Sequence, residues 1–336
     1  MRVAALDLRT ERLDLPFVHE FTIARSSEAF GKSVVARLGW NGIEGLGEVA
    51  PSARYGESVD SVIAALAAHR LGESPYRIDD QLAGLPPAAR CALDIALYDC
   101  IGKDLDRPLW ELFGLDPAAT PRTSFTIGIA PIDEMVAKTR AVGTHPIIKV
   151  KLGTGAEVET IAALRGVYTG TIRVDANEGW TPESAVAILG ELARYDIEFC
   201  EQPIPAGTPE RLRWIRERSP IPIVTDEDSC TANDLLALAG CVDGVNVKLA
   251  KTGGIRGAIA MIHTARALGL KIMLGCMVES QICTTAAAHL SPLVDWADLD
   301  GPFLTARDPF EGITYDDGKI VLPAGPGLGV RERATA

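Results

Sequence analysis

The chain has 336 residues, with 33 Lys and Arg against 45 Asp and Glu, a formal net charge of −12 and 47% apolar residues. That length and apolar content can bury one large core or two smaller ones, which excludes a disordered tail protein. The acidic balance argues against nucleic acid and anionic lipid as partners, since no strongly basic patch interrupts it, and the longest apolar stretches, such as 62–68, fall far short of the roughly 20 residues of a membrane span.

The first nine residues alternate apolar and charged positions like an edge strand and lack the apolar core and cleavage site of a signal peptide, so a cytoplasmic location is expected. The runs 34–38 and 43–49 flank Asn41-Gly42, a hairpin signal, and helical stretches follow at 59–69 and 88–102. Residues 1–115 therefore read as an α+β domain. From 116 to 304 a different unit recurs: a short β-branched run, a polar residue at its end, then an Ala- and Leu-rich helical stretch. The runs lie at 124–129, 147–151, 172–175, 197–201, 221–226, 245–248, 272–275 and 297–300. Their ends from Lys151 to Asp175, Glu201, Asp226 and Lys248 are separated by one strand, one helix and two short loops, which predicts a parallel (β/α)8 barrel. Residues 305–336 are strand and turn material, with Asp317-Gly318 as a hairpin turn, and are expected to pack back on the first domain. Seven cysteines without a Cys-x-x-Cys pair suggest neither disulfides nor a zinc cage and read as small buried hydrophobes; the five histidines are placed in helices or connecting loops, with no catalytic role.

A barrel of this kind carries its active site at the C-terminal ends of the strands. Here the residues closing the runs are Lys149, Lys151, Asp175, Glu201, Asp226, Lys248, Asp298 and Asp300, all ionisable. Asp175, Glu201 and Asp226 close three adjacent strands and repel one another unless a cation lies between them; oxygen-only ligands suit Mg2+, with Mn2+ as a substitute. Lys151 and Lys248 end strands two and six of the ring and are expected to face each other across its mouth, the layout of a two-base site. Each serves as a base only if its pKa falls from about 10.4, as a nearby cation would make it do. Lys149 shares the face of Lys151, two residues away. Asp298 and Asp300 suit a substrate ammonium group. The Gly-rich stretches 153–155 and 251–254 match no P-loop.

With these residues in place the chain resembles the enolase superfamily, in its muconate-lactonizing subgroup, and within it the dipeptide epimerases of the L-Ala-D/L-Glu type. The resemblance covers almost the whole chain. It aligns the family's Lys-x-Lys with Lys149-Val150-Lys151, its metal carboxylates with Asp175, Glu201 and Asp226, its opposite base with Lys248, and its Asp-x-Asp, the clamp for the substrate's free ammonium, with Asp298-Leu299-Asp300. Asp228 is the alternative to Asp226 in the acidic run Asp226-Glu227-Asp228. The family's two capping loops correspond to 22–27 and 52–57; Arg25, and after it Arg54, are the candidates for the substrate's side-chain carboxylate, and Tyr55 and Thr126 complete the substrate-binding set. The resemblance implies Mg2+-dependent epimerisation of a small dipeptide in murein peptide metabolism and a homo-oligomeric assembly. The rivals are an N-acylamino acid racemase or o-succinylbenzoate synthase of the same fold, and a non-catalytic metal-binding barrel.

Overall fold

The computed structural model describes residues 5–24 and 26–334. Among them, β1 (Asp7–Ile23), β2 (Ser26–Trp40) and β3 (Ile43–Val49) form an antiparallel sheet in that order. Asn41 (φ 49°) and Gly42 (φ 83°) are both left-handed, as a two-residue hairpin turn requires, and Trp40 pairs with Ile43 across them. The expected edge strand is longer than read: β1 begins at Asp7 and runs to Ile23, while residues 1–4 lie outside the described residues. Residues 22, 23, 26 and 27 are therefore strand residues at the end of a β-hairpin, with Thr22 opposite Ser27 and Ile23 opposite Ser26. His19 consequently sits in β1, contrary to its placement in a helix or loop. The strand reaches beyond the alternating stretch because it continues through a register shift between Pro16 and Phe21, which breaks the alternation.

Glycine lets the cap close on itself. A Cβ at Gly47 would stand 1.9 Å from the Ala92 carbonyl oxygen and one at Gly45 2.2 Å from that of Ala96, so helix Pro87–Asp104 packs against β3 at a distance no other residue permits.

Eight parallel strands follow among the described residues: β4 (Phe125–Ile127), β5 (Ile147–Lys151), β6 (Thr171–Asp175), β7 (Ile197–Glu201), β8 (Ile223–Thr225), β9 (Gly244–Val247), β10 (Lys271–Gly275) and β11 (Trp296–Asp298). Each pairs with its sequence neighbour, and a parallel bridge between Thr123 and Ala297 joins the first to the last. The sheet is thus a closed barrel, and all eight predicted runs are its strands. Inside it, Phe199, Val224 and Met273 pack with Trp296 as an apolar floor separate from the main core. Arg173 is buried in that floor, its Nε 2.6 Å from Glu198 Oε2 and one terminal nitrogen donating to the Ala297 carbonyl at 2.7 Å. The floor leaves the polar strand ends as a single upper layer.

The tail crosses back to the first hundred residues. Leu109 N–H donates to the Gly327 carbonyl at 3.0 Å, Leu328 N–H to Asp99 Oδ1 at 2.8 Å, and Phe17 bridges Thr305. Asp317 and Gly318 are left-handed, forming the expected turn between β13 (Thr314–Asp316) and β14 (Lys319–Val321), which follow β12 (Phe310–Glu311). The seven cysteines are free, five buried and Cys230 and Cys276 half-buried. No helix among the described residues is long and apolar enough to cross a membrane.

His289 ties three parts of the chain together. Its Nδ1 accepts the Trp110 N–H at 3.2 Å, so Nε2 carries the proton and donates to the Leu328 carbonyl at 3.0 Å. Burial pushes its pKa down to about 4. A folded-state value below the unfolded one makes its contribution complete above about pH 6.5 and lost as pH falls toward 4. Denaturant unfolding should show wild type losing about 2 kcal/mol more than His289→Asn between pH 7 and pH 4.5. Equal losses in the two proteins would remove His289 as the acid-sensitive joint.

Candidate active site

The register of the barrel brings the charged strand ends level. Lys151 pairs with Asp175 between β5 and β6, and Asp175 with Glu201 between β6 and β7. Lys151 Nζ donates to Asp175 Oδ2 at 2.6 Å. Lys149, 1% exposed, places its ammonium among three carboxylates, at 2.7 Å from Asp298 Oδ2, 3.3 Å from Asp175 Oδ2 and in direct contact with Glu201 Oε2. Burial alone would lower the pKa of Lys149, but Asp298, Glu201 and Asp175 outweigh it and hold the group well above its usual range.

The second lysine lies on the other side. Lys248, one residue beyond β9, donates to Asp226 Oδ2 at 2.8 Å. Burial lowers its pKa and the charges of Asp226 and Glu201 raise it, with a net upward shift. The groups of the chain that face Lys149 and Lys248 are carboxylates, and these hold both ammoniums up. Asp226 is held low in turn: burial raises its pKa, and Lys248 and Lys251 overcome it.

A side chain from the neighbouring strand separates Asp226 from Asp228. Gln202 Oε1 accepts the Asp226 N–H at 2.9 Å and its Nε2 donates to Asp228 Oδ2 at 2.7 Å; the Gly207 N–H also points at Asp228. Asp228 is therefore turned to the loop after β7, and Asp226 to the lysines.

Asp298 takes Lys149 on one oxygen and the Ser124 hydroxyl on the other. Asp300 accepts the Thr126 N–H at 2.7 Å; burial and the Asp298 charge push its pKa up to about 6. Both carboxylates are buried. Thr126 consequently acts on Asp300, holding its side chain in place. From the cap, Tyr55 lies where the Asp226 and Lys248 charges reach it, and burial followed by Asp226 raises its pKa. Arg54, beside it in the single turn Ala53–Tyr55, makes two bonds of 2.9 and 2.8 Å to Glu178 in the loop after β6, so its guanidinium already has a carboxylate partner. Arg25 lies outside the described residues.

Sequence reasoning missed three buried side chains that organise the site. Ser124 bonds Asp298; Asn246 Nδ2 donates to Glu201 Oε1 at 2.6 Å. Lys251, fully buried, reaches Asp226 Oδ1 at 2.5 Å and the carbonyls of Asp226, Ser229 and Asn246 at 2.6, 2.9 and 2.9 Å. A second lysine three residues, about one helical turn, after Lys248 was the available signal. Glu279, in the loop after β10, is buried near Glu48 and Cys283, and its pKa is pushed up to about 8 by burial and Glu48.

The donor chemistry suits a hard divalent cation. Asp175, Glu201 and Asp226 offer only oxygens, all buried, and burial with the Asp175 charge still pushes the Glu201 carboxyl up to about 6 although Lys149 touches it. Burial and the Asp175 charge thus disfavour the ionised Glu201 carboxylate, which a cation among these oxygens would favour. Among the described residues no three acidic groups surround one point closely enough to hold an ion as they stand. The Lys149 ammonium lies between Asp175, Glu201 and Asp298 instead.

A family model described as the mandelate racemase/muconate lactonizing enzyme N-terminal domain matches residues 5–114, and one described as enolase C-terminal domain-like matches residues 132–335. The chain belongs to the mandelate racemase/muconate lactonizing enzyme family. Among relatives in that family, the L-Ala-D/L-Glu epimerase of Bacteroides thetaiotaomicron is 38% identical over 327 residues, covering 94% of this chain and 85% of its own. The substrate-liganded L-Ala-D/L-Glu epimerase of Bacillus subtilis superposes with a TM-score of 0.93 at 28% identity over the whole of both chains. The dipeptide epimerase of Cytophaga hutchinsonii, complexed with Mg and D-Ala-L-Val, gives 0.91 at 30% identity over 99% of this chain and 96% of that one.

Proposed function

We propose that this member of the family is a Mg2+-dependent dipeptide epimerase that inverts the α-carbon of the C-terminal residue, interconverting L-Ala-D-Glu and L-Ala-L-Glu. The observation that supports it best is the arrangement of Lys151 and Lys248, bonded to different carboxylates, Asp175 and Asp226, of one buried cluster. Asp175, Glu201 and Asp226 are the residues that would hold the metal, Mg2+ or in substitution Mn2+. When bound, the ion supplies positive charge that offsets these carboxylates, eases deprotonation of the lysines and stabilises the enediolate form of the substrate.

The remaining steps belong to the chain. One lysine, as the free amine, takes the α-proton; the electron pair left on carbon delocalises into the adjacent carboxylate; the other lysine, as ammonium, delivers a proton to the opposite face. Lys149 supplies a fixed positive charge near the carboxylate oxygens of the site. Asp298 and Asp300 accept the dipeptide's free ammonium, which favours a dipeptide over an N-acylated or cycloisomerised substrate that offers none. The division at 115 and 305, with the tail completing the cap, belongs to the same reading.

The test is deuterium incorporation at the C-terminal α-carbon of L-Ala-L-Glu in D2O with Mg2+, followed by mass spectrometry and polarimetry. Exchange accompanied by a change in rotation is expected; absence of both across a dipeptide panel would transfer the assignment to the N-acylamino acid racemases or cycloisomerases. In the same assay Asp298→Asn should raise KM for the dipeptide about tenfold or more, the cost of one charge-assisted bond, with a smaller change in kcat.

A further inference from the structure

The end of the β1–β2 hairpin lies on the barrel mouth at backbone distance, and two glycines make this possible. Gly153 (φ +114°) lies two residues past Lys151 in the loop after β5; a Cβ there would stand 2.8 Å from the Ala24 Cβ and 3.3 Å from the Ala176 carbonyl oxygen. Gly179, in the loop after β6, would place a Cβ 2.8 Å from that same oxygen, 3.1 Å from Gly153 Cα and 3.6 Å from the Ala24 Cβ. The two glycines therefore form a notch that the Ala24 methyl group fills. Next to it, the Ile129 N–H donates to the Thr22 carbonyl at 3.0 Å, tying the hairpin to the loop after β4. At the other end of the contact, a Cβ on Gly31 of β2 would stand 2.9 Å from the Val278 carbonyl in the loop after β10.

We propose that the Gly153/Gly179 notch is the seat that positions the hairpin over the dipeptide, with Ala24 as the positioning residue that sets the fit of the substrate's C-terminal side chain. The inference rests on the epimerase reading above. Its physical content is that the loops clasping the hairpin are those that follow Thr126, Lys151 and Asp175, so the cap's height above the site is set by contact with the loops that hold the reacting groups. A larger side chain at 24 has no space in the notch and lifts the hairpin; glycine at 24 leaves the backbone approach intact.

The experiment compares wild type, Ala24→Gly and Ala24→Leu by three readouts: steady-state constants on a panel of L-Ala-X dipeptides, hydrogen exchange of the Ile129 amide, and Mg2+ affinity by calorimetry. Ala24→Leu should raise KM about tenfold or more with kcat little changed, speed Ile129 exchange by a similar factor and leave Mg2+ affinity within about twofold; Ala24→Gly, which empties the notch without lifting the hairpin, should speed Ile129 exchange less than Ala24→Leu does. KM and Ile129 exchange both unchanged in Ala24→Leu would overturn the seat. Faster Ile129 exchange with unchanged KM would overturn its positioning role. If wild type turns over no dipeptide on the panel, the epimerase reading fails, and the Ile129 exchange still decides whether Ala24 is seated.

Discussion

Lys151→Ala should lose epimerisation entirely while still binding Mg2+, and should retain exchange of the α-proton with solvent for one of the two epimers. Lys248→Ala should lose epimerisation equally and retain exchange for the other. The prediction follows from geometry: Lys151 is anchored on Asp175 and Lys248 on Asp226, so each serves its own side of the cluster, and neither can replace the other. Removing a positioned base costs about 10² to 10⁴ in rate, enough to take the overall reaction to background in a single-substrate assay. The exchange half-reaction needs only one lysine and survives. Metal affinity, measured by calorimetry, should change little in Lys151→Ala, because Asp175 keeps the Asn177 N–H on its other oxygen. Undiminished epimerisation in Lys151→Ala would end the two-base assignment; loss of exchange for both epimers in each variant would point to a single relay in its place.

Asp226→Asn has the second largest expected effect, and it acts on stability as well as activity. Its carboxylate separates two buried ammoniums, Lys248 at 2.8 Å and Lys251 at 2.5 Å, whose side chains are 12% and 0% exposed. Asparagine keeps the shape and removes the charge, leaving both lysines without their counter-ion in a site water hardly reaches. Breaking a buried pair in this way costs about 3–5 kcal/mol. Urea unfolding in the presence of EDTA should show that loss in the metal-free protein, and calorimetry should show Mg2+ binding weakened by about tenfold or more, since a proposed ligand has lost its charge. Asp228→Asn is the control: its partners are the Gln202 amide and the Gly207 N–H, so its removal should cost about 1 kcal/mol and leave Mg2+ affinity unchanged. If Asp228→Asn were the variant that lost the metal, the ligand assignment would move two residues along the chain.

A related expectation concerns Lys251, which sequence reasoning passed over. Its ammonium meets one carboxylate and three carbonyls, and no part of it is exposed. Lys251→Met should lower Mg2+ affinity about tenfold by releasing Asp226 from its orientation. An affinity unchanged in a folded variant would show that Lys248 suffices to hold that carboxylate.

The chain by itself determined the barrel and the composition of its mouth. The run from Ile147 to Lys248 carries both kinds of information locally: β-branched residues every other position, spaced by one helix, and a charged residue at each run's end. Parallel strands in a closed barrel have no freedom in the face those ends present, so Lys149, Lys151, Asp175, Glu201, Asp226, Lys248 and Asp298 had to gather once the barrel was recognised. The Asn41-Gly42 and Asp317-Gly318 turns were legible for the same reason, since each needs only its own two residues in left-handed conformation.

What only the tertiary structure decided is which groups face one another across long separations. Arg54 is claimed by Glu178, 124 residues away, and Ser124 by Asp298, 174 away; no periodicity encodes those choices. The different directions in which Asp226 and Asp228 face depend on a glutamine from the adjacent strand, and the direction of the Lys149 and Lys248 pKa shifts on carboxylates from the ends of four strands. The long first strand and its seat on Gly153 and Gly179 are of the same kind: a glycine in a sequence announces a turn, but whether another segment lies against it at 3 Å is fixed only when the chain has closed around its core. Local periodicity reports backbone geometry, whereas partner choice is set by which side chains the closed barrel and its cap bring within hydrogen-bonding reach.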